Sequence, residues 1–240
     1  MTPALSIVLP CYNEAENIPT IFARFCELLD GRRDIEVLLV NNGSSDQSAE
    51  VLAREASKPE HDFIRVVNVN LNRGYGFGIL AGLEEATGDF LGWTHADMQT
   101  DPTDVLKGFE VLLAQKHPAG CLLKGKRMAR PLFDAFFTGG MSLISSVALG
   151  CKLNDVNAQP KLFSRAYYEG LQNPPHDFSL DLFVLYDAQR RGMTILEQPV
   201  YFAKREHGES KGGGTFRGKV KLIRRTFAYI LELRDKVRRS

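Results

Sequence analysis

"LSIVLPCYNEAENIPTIFARFCELL", Leu5 to Leu29, decides the fold. A short apolar run ends at Pro10, the chain turns polar at Tyr12-Asn13-Glu14, and apolar residues then return at helical spacing. Such a run bounded by turn residues is a buried strand, and Ile18, Ile21, Phe22, Phe25 and Leu28 share one face of a helix. Asn13 followed three residues later by Glu16 has the form of a capping box, which predicts a helix beginning at Asn13. The unit is strand, polar loop, helix.

The unit repeats. "IEVLLVN", "IRVVNVN" and "DFLGWTH" are further strands, with helices expected over 47–56 and 76–86 and after Pro102, a residue suited to a first helical turn. This alternation predicts an α/β protein whose mainly parallel central sheet is flanked by helices. Ligands in such sheets bind beyond the carboxyl ends of the strands. Those ends carry "PCYNE", "NNGSSD", "NLNRGYG" and "THADMQTDP". The second half is less regular. It holds a strand "CLLKGKR", an apolar helix near 136–149, the stretch "DVNAQPKLFSR", a helix over 179–191 and a strand "MTILEQPVYF".

Composition narrows the class. The chain has 240 residues, is 44% hydrophobic and 25% charged, and has a net charge of +1, so it is an ordinary globular chain and no nucleic-acid binder. The charge is unevenly spread. From Lys204 to Ser240 there are twelve Lys or Arg against four Asp or Glu, which points to an anionic surface or ligand at that end. Cys11, Cys26, Cys121 and Cys151 are scattered without ligand spacing, as expected of a reducing, cytoplasmic setting. The start of the chain lacks the pattern of a signal peptide. The stretch from Leu132 to Cys151 approaches membrane length, but its Ser, Thr and Gly content reads as a packed or interfacial helix.

Several constellations carry chemistry, each beside a plainer reading. "GYGFGILAG" lacks the spacing of a dinucleotide fingerprint, so its glycines read as close packing of loop and helix on the sheet. In "NNGSSD", Asn41 and Asn42 sit where a base or ribose can be read, while Asp46 or Ser45 equally suits a helix cap. In "THADMQTDP", oxygen donors two residues apart at Asp97, Gln99 and Asp101 suit a divalent ion on a diphosphate, and His95 suits Mn²⁺ better than Mg²⁺. The plainer reading makes Asp101 a cap before Pro102. "KREHGESKGGG" places Arg205, His207 and Lys211 in a glycine-rich loop suited to gripping phosphate, or to a simple hinge. The tail sets Phe216, Val220, Ile223, Phe227, Ile230 and Val237 on one helical face, to lie on an anionic bilayer or to pack on the domain or on a second subunit.

Taken in order, "SIVLPCYNEAENI", "LLVNNGSSDQS", "GYGFGILAGLEEATGDFLGWTHADMQTDP" and "EQPVYFAKREHGESKGGG" resemble the family 2 glycosyltransferases of the GT-A fold, and among them the polyprenyl-phosphate glycosyltransferases. The resemblance implies a catalytic domain over 1–203, followed over 204–240 by a flexible loop and a basic amphipathic helix. It implies an inverting transfer of a hexose from a nucleotide-diphosphate sugar to a polyprenyl monophosphate. Pro10, Tyr12, Asn13, Glu14, Asn41, Asn42, Gly74, His95 and Ala96 would surround the nucleotide sugar. Asp97 and Gln99 would hold Mg²⁺ or Mn²⁺. Arg127, Lys161, Arg205 and Lys211 would hold the acceptor phosphate, and Asp97, Arg127, Arg205 and Lys211 would act in catalysis. A phosphate acceptor is already a nucleophile and needs no strong base.

The sequence departs from the family pattern where Asn41 and Asn42 replace an acidic pair and where His95 replaces the first Asp of D-x-D. The expected setting is the cytoplasmic membrane face, held peripherally or through a separate anchoring partner or a second copy. Two other readings remain. One is a family 2 transferase acting on a saccharide or glycolipid hydroxyl, with Asp177 or Asp181 as base. The other is a non-catalytic nucleotide-sugar or membrane-surface binding module.

Overall fold

The first four strands lie parallel, and their order explains where a ligand can bind. The structure is a computed structural model and describes residues 2–128, 146–202 and 228–233. It contains β1 (Leu5–Cys11), α1 (Ile18–Leu28), β2 (Ile35–Asn42), α2 (Ser48–Ala56), β3 (Ile64–Val69), α3 (Tyr75–Glu85), β4 (Phe90–Trp93), α4 (Thr103–Leu113), β5 (Cys121–Met128), β6 (Lys161–Ser164), α5 (Arg165–Glu169), α6 (Leu180–Arg190) and β7 (Thr194–Tyr201). One seven-stranded sheet has the order β3-β2-β1-β4-β6-β5-β7. β1 lies parallel to both β2 and β4, β2 is parallel to β3, and β5 is parallel to β7. The exception is β6, which runs antiparallel between β4 and β5. Strand order therefore reverses at β1, and the crevice between the ends of β1 and β4 is a topological switch point.

The predicted α/β class and the first-half elements match this architecture. The sheet carries a core on each side because β1 and β2 are apolar at every second residue on both faces. Ile7, Leu9, Val37 and Leu39 pack with Phe22 and Phe25 of α1 and Phe109 of α4. Val8, Leu38 and Val40 pack on the other side with Ile79 and Leu83 of α3 and Leu182 and Leu185 of α6. Gly82 is needed here, because a Cβ would meet Val8 Cγ1 at 2.5 Å and Val40 Cγ2 at 2.7 Å. β3, at the sheet edge, is mostly half-buried or exposed, in contrast to the buried strand its sequence suggests.

Two local expectations are corrected. The first helix begins at Ile18 rather than Asn13, and no capping box forms. Asn13 has φ 56°, and its side chain is turned to the β2–α2 loop, so the segment 12–17 is a loop. The strand at the end of "DFLGWTH" stops at Trp93, leaving Thr94 and His95 beyond the ladder.

The apolar segment near 136–149 lies mostly outside the described residues, as do Arg205, His207, Lys211 and most of the basic tail. In the described helical turn 228–233, Ile230 and Leu233 are buried in the second core, so this part of the apolar face packs on the domain. Among the described residues no helix is long and apolar enough to cross a membrane.

Candidate active site

The site is assembled from loops at the carboxyl ends of the parallel strands. After β1, the backbone N–H of Asn13 donates to Ser44 Oγ (3.1 Å), and Ser45 N–H donates to Asn13 Oδ1 (2.8 Å). Glu14 N–H donates to Ser48 Oγ at 2.9 Å. The first two loops are thus fastened together, which fixes the path of Tyr12 and Glu14. Asp46 accepts from Ser48 N–H at 2.9 Å and so caps α2, the plainer of the two readings of "NNGSSD".

The paired asparagines ending β2 point to opposite sides of the sheet, as strand geometry requires. Asn41 donates to Asn68 Oδ1 (3.2 Å) and accepts from Ser44 N–H (3.2 Å), a bond pattern that an ionised carboxylate could not complete as donor. Asn42 donates to Gly74 O at 3.0 Å and lies against Gly78, where a Cβ would meet its amide at 2.7 Å. Its Oδ1 is buried and has no hydrogen-bond partner among the described residues. The glycine-rich segment does pack closely, but on two fronts. Gly74 and Gly76 sit under the backbone of 175–177, and Phe77 N–H donates to His176 O at 2.8 Å. A carbonyl therefore occupies the start of α3, and no phosphate loop is formed there.

Beyond β4, Asp97 Oδ1 accepts from Gln99 N–H at 3.1 Å across Met98, which has φ 55°. Thr94 and Thr100 close the loop through their hydroxyls at 3.2 Å. Asp97 is buried and Gln99 half-buried. Asp101 instead accepts from Thr103 N–H (2.8 Å) and pairs with Arg24 (3.1 Å), so its carboxylate caps the start of α4 and is ion-paired to α1. His95 lies between aromatic rings, 6.4 Å from Tyr75 and 6.1 Å from Phe202. Loss of hydration lowers its pKa, against the opposing charges of Asp97 and Asp181. Burial thus favours the neutral form of the imidazole.

On the far side, Arg127 at the end of β5 is held by Asp155. Its Nε donates to Asp155 Oδ1 (2.9 Å), its backbone N–H donates to Oδ2 (2.8 Å), and the guanidinium lies 5.5 Å from the Phe202 ring centre. Beneath lies a row of in-register side chains, buried at Trp93, Lys161 and Lys124 and exposed at Glu197. Trp93 pairs in register with Lys161, Lys161 with Lys124, and Lys124 with Glu197 across four strands. Lys161 donates to Asp181 Oδ1 (2.6 Å), Val156 O (2.8 Å) and Ala158 O (3.2 Å). Gln159 Nε2 joins the same Asp181 oxygen (2.8 Å) to the Tyr75 hydroxyl (3.1 Å).

Several expected site residues thus converge at the strand ends. Pro10 lies near the end of β1 and Asn41 and Asn42 end β2, Tyr12, Asn13, Glu14 and Gly74 lie in the loops after β1 and β3, His95, Ala96, Asp97 and Gln99 in the loop after β4, and Arg127 lies next to the end of β5. Lys161 is corrected. With 0% exposure and three oxygen partners its ammonium has no proton left for an acceptor phosphate, and it is a structural cation under the site. Asp155, Gln159, Tyr75, Phe178 and Phe202 were not singled out from sequence. Asp155 lies 28 residues from Arg127, and no local pattern joins the two. Phe178 stacks on Tyr75 at 4.9 Å, a contact that also needs the fold.

Whether a divalent ion suits this loop is tested by its donors. Among the described residues no three His, Cys, Asp or Glu side chains form a group able to hold a metal alone. One carboxylate at Asp97, one amide oxygen at Gln99 and a neutral imidazole beside them are hard or borderline donors. They fit an ion shared with diphosphate oxygens rather than one enclosed by protein.

The parallel 3-2-1-4 core, the antiparallel β6 and the β4-end loop define a GT-A class of fold. The chain belongs to glycosyl transferase family 2, whose family model matches residues 6–128. It is similar to the undecaprenyl-phosphate 4-deoxy-4-formamido-L-arabinose transferases of Enterobacter sp. (strain 638), 32% identical over 217 residues, and of Yersinia enterocolitica, 31% identical over 212 residues. Each match covers 86% of this chain and 62% of the relative, so the chain spans less than two thirds of their length. Among solved structures it is similar to glucosyl-3-phosphoglycerate synthase from Mycobacterium tuberculosis in complex with Mn²⁺, UDP-glucose and phosphoglyceric acid. The TM-score is 0.74 at 20% identity, over 97% of this chain and 80% of that one, a likeness of fold.

Proposed function

We propose that the protein is an inverting glycosyltransferase that moves a sugar from a nucleotide-diphosphate sugar to a polyprenyl monophosphate. The observation that carries this reading is the engagement of both carboxylates that could serve as a base. Asp181 is 3% exposed and ion-paired with Lys161, and Asp177 accepts from Ser179 N–H at 2.8 Å at the start of α6. An acceptor hydroxyl must lose a proton as it attacks, whereas a phosphate monoester arrives as an anion. The similarity to undecaprenyl-phosphate sugar transferases supports the same acceptor class.

In this reading the nucleoside lies over the β1 and β2 ends, with Tyr12, Glu14 and Asn41 beside it. Asp97 and Gln99 hold Mg²⁺ or Mn²⁺, which when bound offsets charge on the departing diphosphate. Arg127, kept in one orientation by Asp155, faces the acceptor phosphate as a planar donor fork. Arg205 and Lys211, which lie outside the described residues, complete that grip. The protein works peripherally at the cytoplasmic membrane face, with an anchoring partner or a second copy.

The test is incubation with polyprenyl phosphate, with a saccharide hydroxyl acceptor, and with each of UDP-, GDP-, CDP- and dTDP-linked sugars, with and without Mn²⁺. Lipid-linked product that depends on metal is expected. Product on the saccharide alone would establish the hydroxyl-acceptor reading. Nucleotide binding without metal dependence or turnover would establish a binding module.

A further inference from the structure

A fully buried lysine beneath a transferase site is an unusual expense of hydration, and its partner here is a carboxylate beside the site. Lys161 gives its three protons to Asp181 Oδ1, Val156 O and Ala158 O. The same Asp181 oxygen takes a second bond from Gln159, whose amide also reaches Tyr75 Oη. Tyr75 neighbours the His95 ring, with ring centres 6.4 Å apart. Asp181 is therefore two hydrogen bonds from the Tyr75 hydroxyl, through the Gln159 amide. Lys124, opposite Lys161 in the ladder, is committed to Glu197 (3.5 Å) and Gly125 O (3.0 Å). Burial lowers the pKa of Lys161, and the Asp181 charge opposes that shift. A methionine of similar length would fill the same volume without the charge, so packing alone does not require a lysine.

We propose that Lys161 is a selectivity residue. Its ion pair withholds Asp181 from proton abstraction, so that water and hydroxyl groups are spared and only an acceptor that arrives as an anion is glycosylated. The inference rests on the polyprenyl-phosphate reading above. The reaction it suppresses is definite. A water or alcohol oxygen bonds to the anomeric carbon, the bond from that carbon to the diphosphate oxygen breaks, and its electron pair leaves with the nucleoside diphosphate. The proton of the water or alcohol passes to the Asp181 carboxylate and on to solvent. With its Oδ1 held by Lys161 and Gln159, the Asp181 carboxylate is a poorer acceptor for that proton.

The experiment compares the full-length native chain with Lys161→Met and with Lys161→Met/Asp181→Asn. Each is given polyprenyl phosphate, glycerol as hydroxyl probe, and whichever of the UDP-, GDP-, CDP- or dTDP-linked sugars the native chain turns over. Lipid-linked sugar, free sugar and glycerol glycoside are measured separately. Lys161→Met is expected to raise free sugar plus glycoside relative to lipid product by about tenfold or more, the low end of what a positioned base supplies being still larger. The double variant, which again leaves no unpaired buried charge, is expected to return the ratio to that of the native chain. An unchanged ratio in folded Lys161→Met, or a raised ratio that persists in the double variant, would overturn the inference while leaving lipid transfer intact. Glycerol glycosylation by the native chain at a rate comparable to lipid transfer would overturn it without any variant. Failure of the native chain to make any lipid-linked product is a separate outcome, and it would overturn the underlying reading as well.

Discussion

Arg127 and Asp155 form a three-point clasp. The backbone N–H of the arginine donates to Oδ2 at 2.8 Å, and its Nε and Nη2 donate to Oδ1 at 2.9 and 2.5 Å, so strand end and guanidinium are oriented together. Asp155 itself has φ 41°, which shows that its loop is bent to bring the carboxylate there. The pair explains how a side chain at the rim of the sheet keeps one direction without being buried. It also separates the role of Arg127 from that of Lys161, which is equally well bonded but has no exposed surface.

Replacing Arg127 by Lys keeps the charge and loses the fork. The expected result is a rise in KM for the lipid phosphate of about ten- to a hundredfold, since one charge-assisted hydrogen bond is worth about 1.5–3 kcal/mol. Nucleotide affinity, measured by calorimetry, is expected to stay unchanged. A matching loss in nucleotide affinity would place Arg127 on the donor side instead.

Asp97→Ala is expected to abolish metal-dependent turnover, because it removes the only carboxylate of the β4-end loop that is not a helix cap. His95→Ala is expected to weaken turnover by about ten- to a hundredfold, the usual effect of losing a group that supports a metal rather than a ligand itself. A Mn²⁺ titration of both variants distinguishes the two cases. Equal and complete loss would show that the imidazole is a ligand.

Asp101→Ala is the internal control. It removes the α4 cap and the Arg24 contact, and is expected to cost about 1 kcal/mol in denaturant unfolding, typical of an N-terminal cap. Its kcat and metal requirement are expected to match the native chain. Loss of metal dependence would join Asp101 to Asp97 and Gln99.

Gly76→Ala places a Cβ 2.7 Å from both Asp177 O and Pro175 O, which are backbone atoms that cannot simply rotate away. It is expected to destabilise the fold by about 1–3 kcal/mol, as overpacking does. Equilibrium unfolding of the variant checks this. Unaltered stability would mean that the 175–177 segment shifts freely against α3.

Much of the architecture was legible because periodicity is local. Alternating apolar runs and helical stripes mark β1, β2, β4 and α1 to α4, and a strand end followed by Asp97-Met98-Gln99 reads directly as a loop with oxygen donors. What misled was also local. Asn13 and Glu16 have capping-box spacing, yet Ser44, Ser45 and Ser48 from the neighbouring loop compete for the same groups and win. Lys161 looked like a phosphate ligand because a lysine in a polar stretch is normally exposed. Its strand, β6, is inserted antiparallel between β4 and β5, and that insertion buries it.

By itself, the sequence determined the alternating α/β class, the two apolar faces of the leading strands and the set of polar loops that follow them, since each depends on residues a few positions apart. Only the tertiary structure decided which charged groups are available to a ligand. Asp155 was assigned to Arg127, and Asp181 to Lys161 and Gln159, across separations of 28, 20 and 22 residues. A buried charge must find an opposite charge or a hydrogen bond wherever the fold supplies one. That pairing is a property of the packed sheet and its loops, and no spacing along the chain records it.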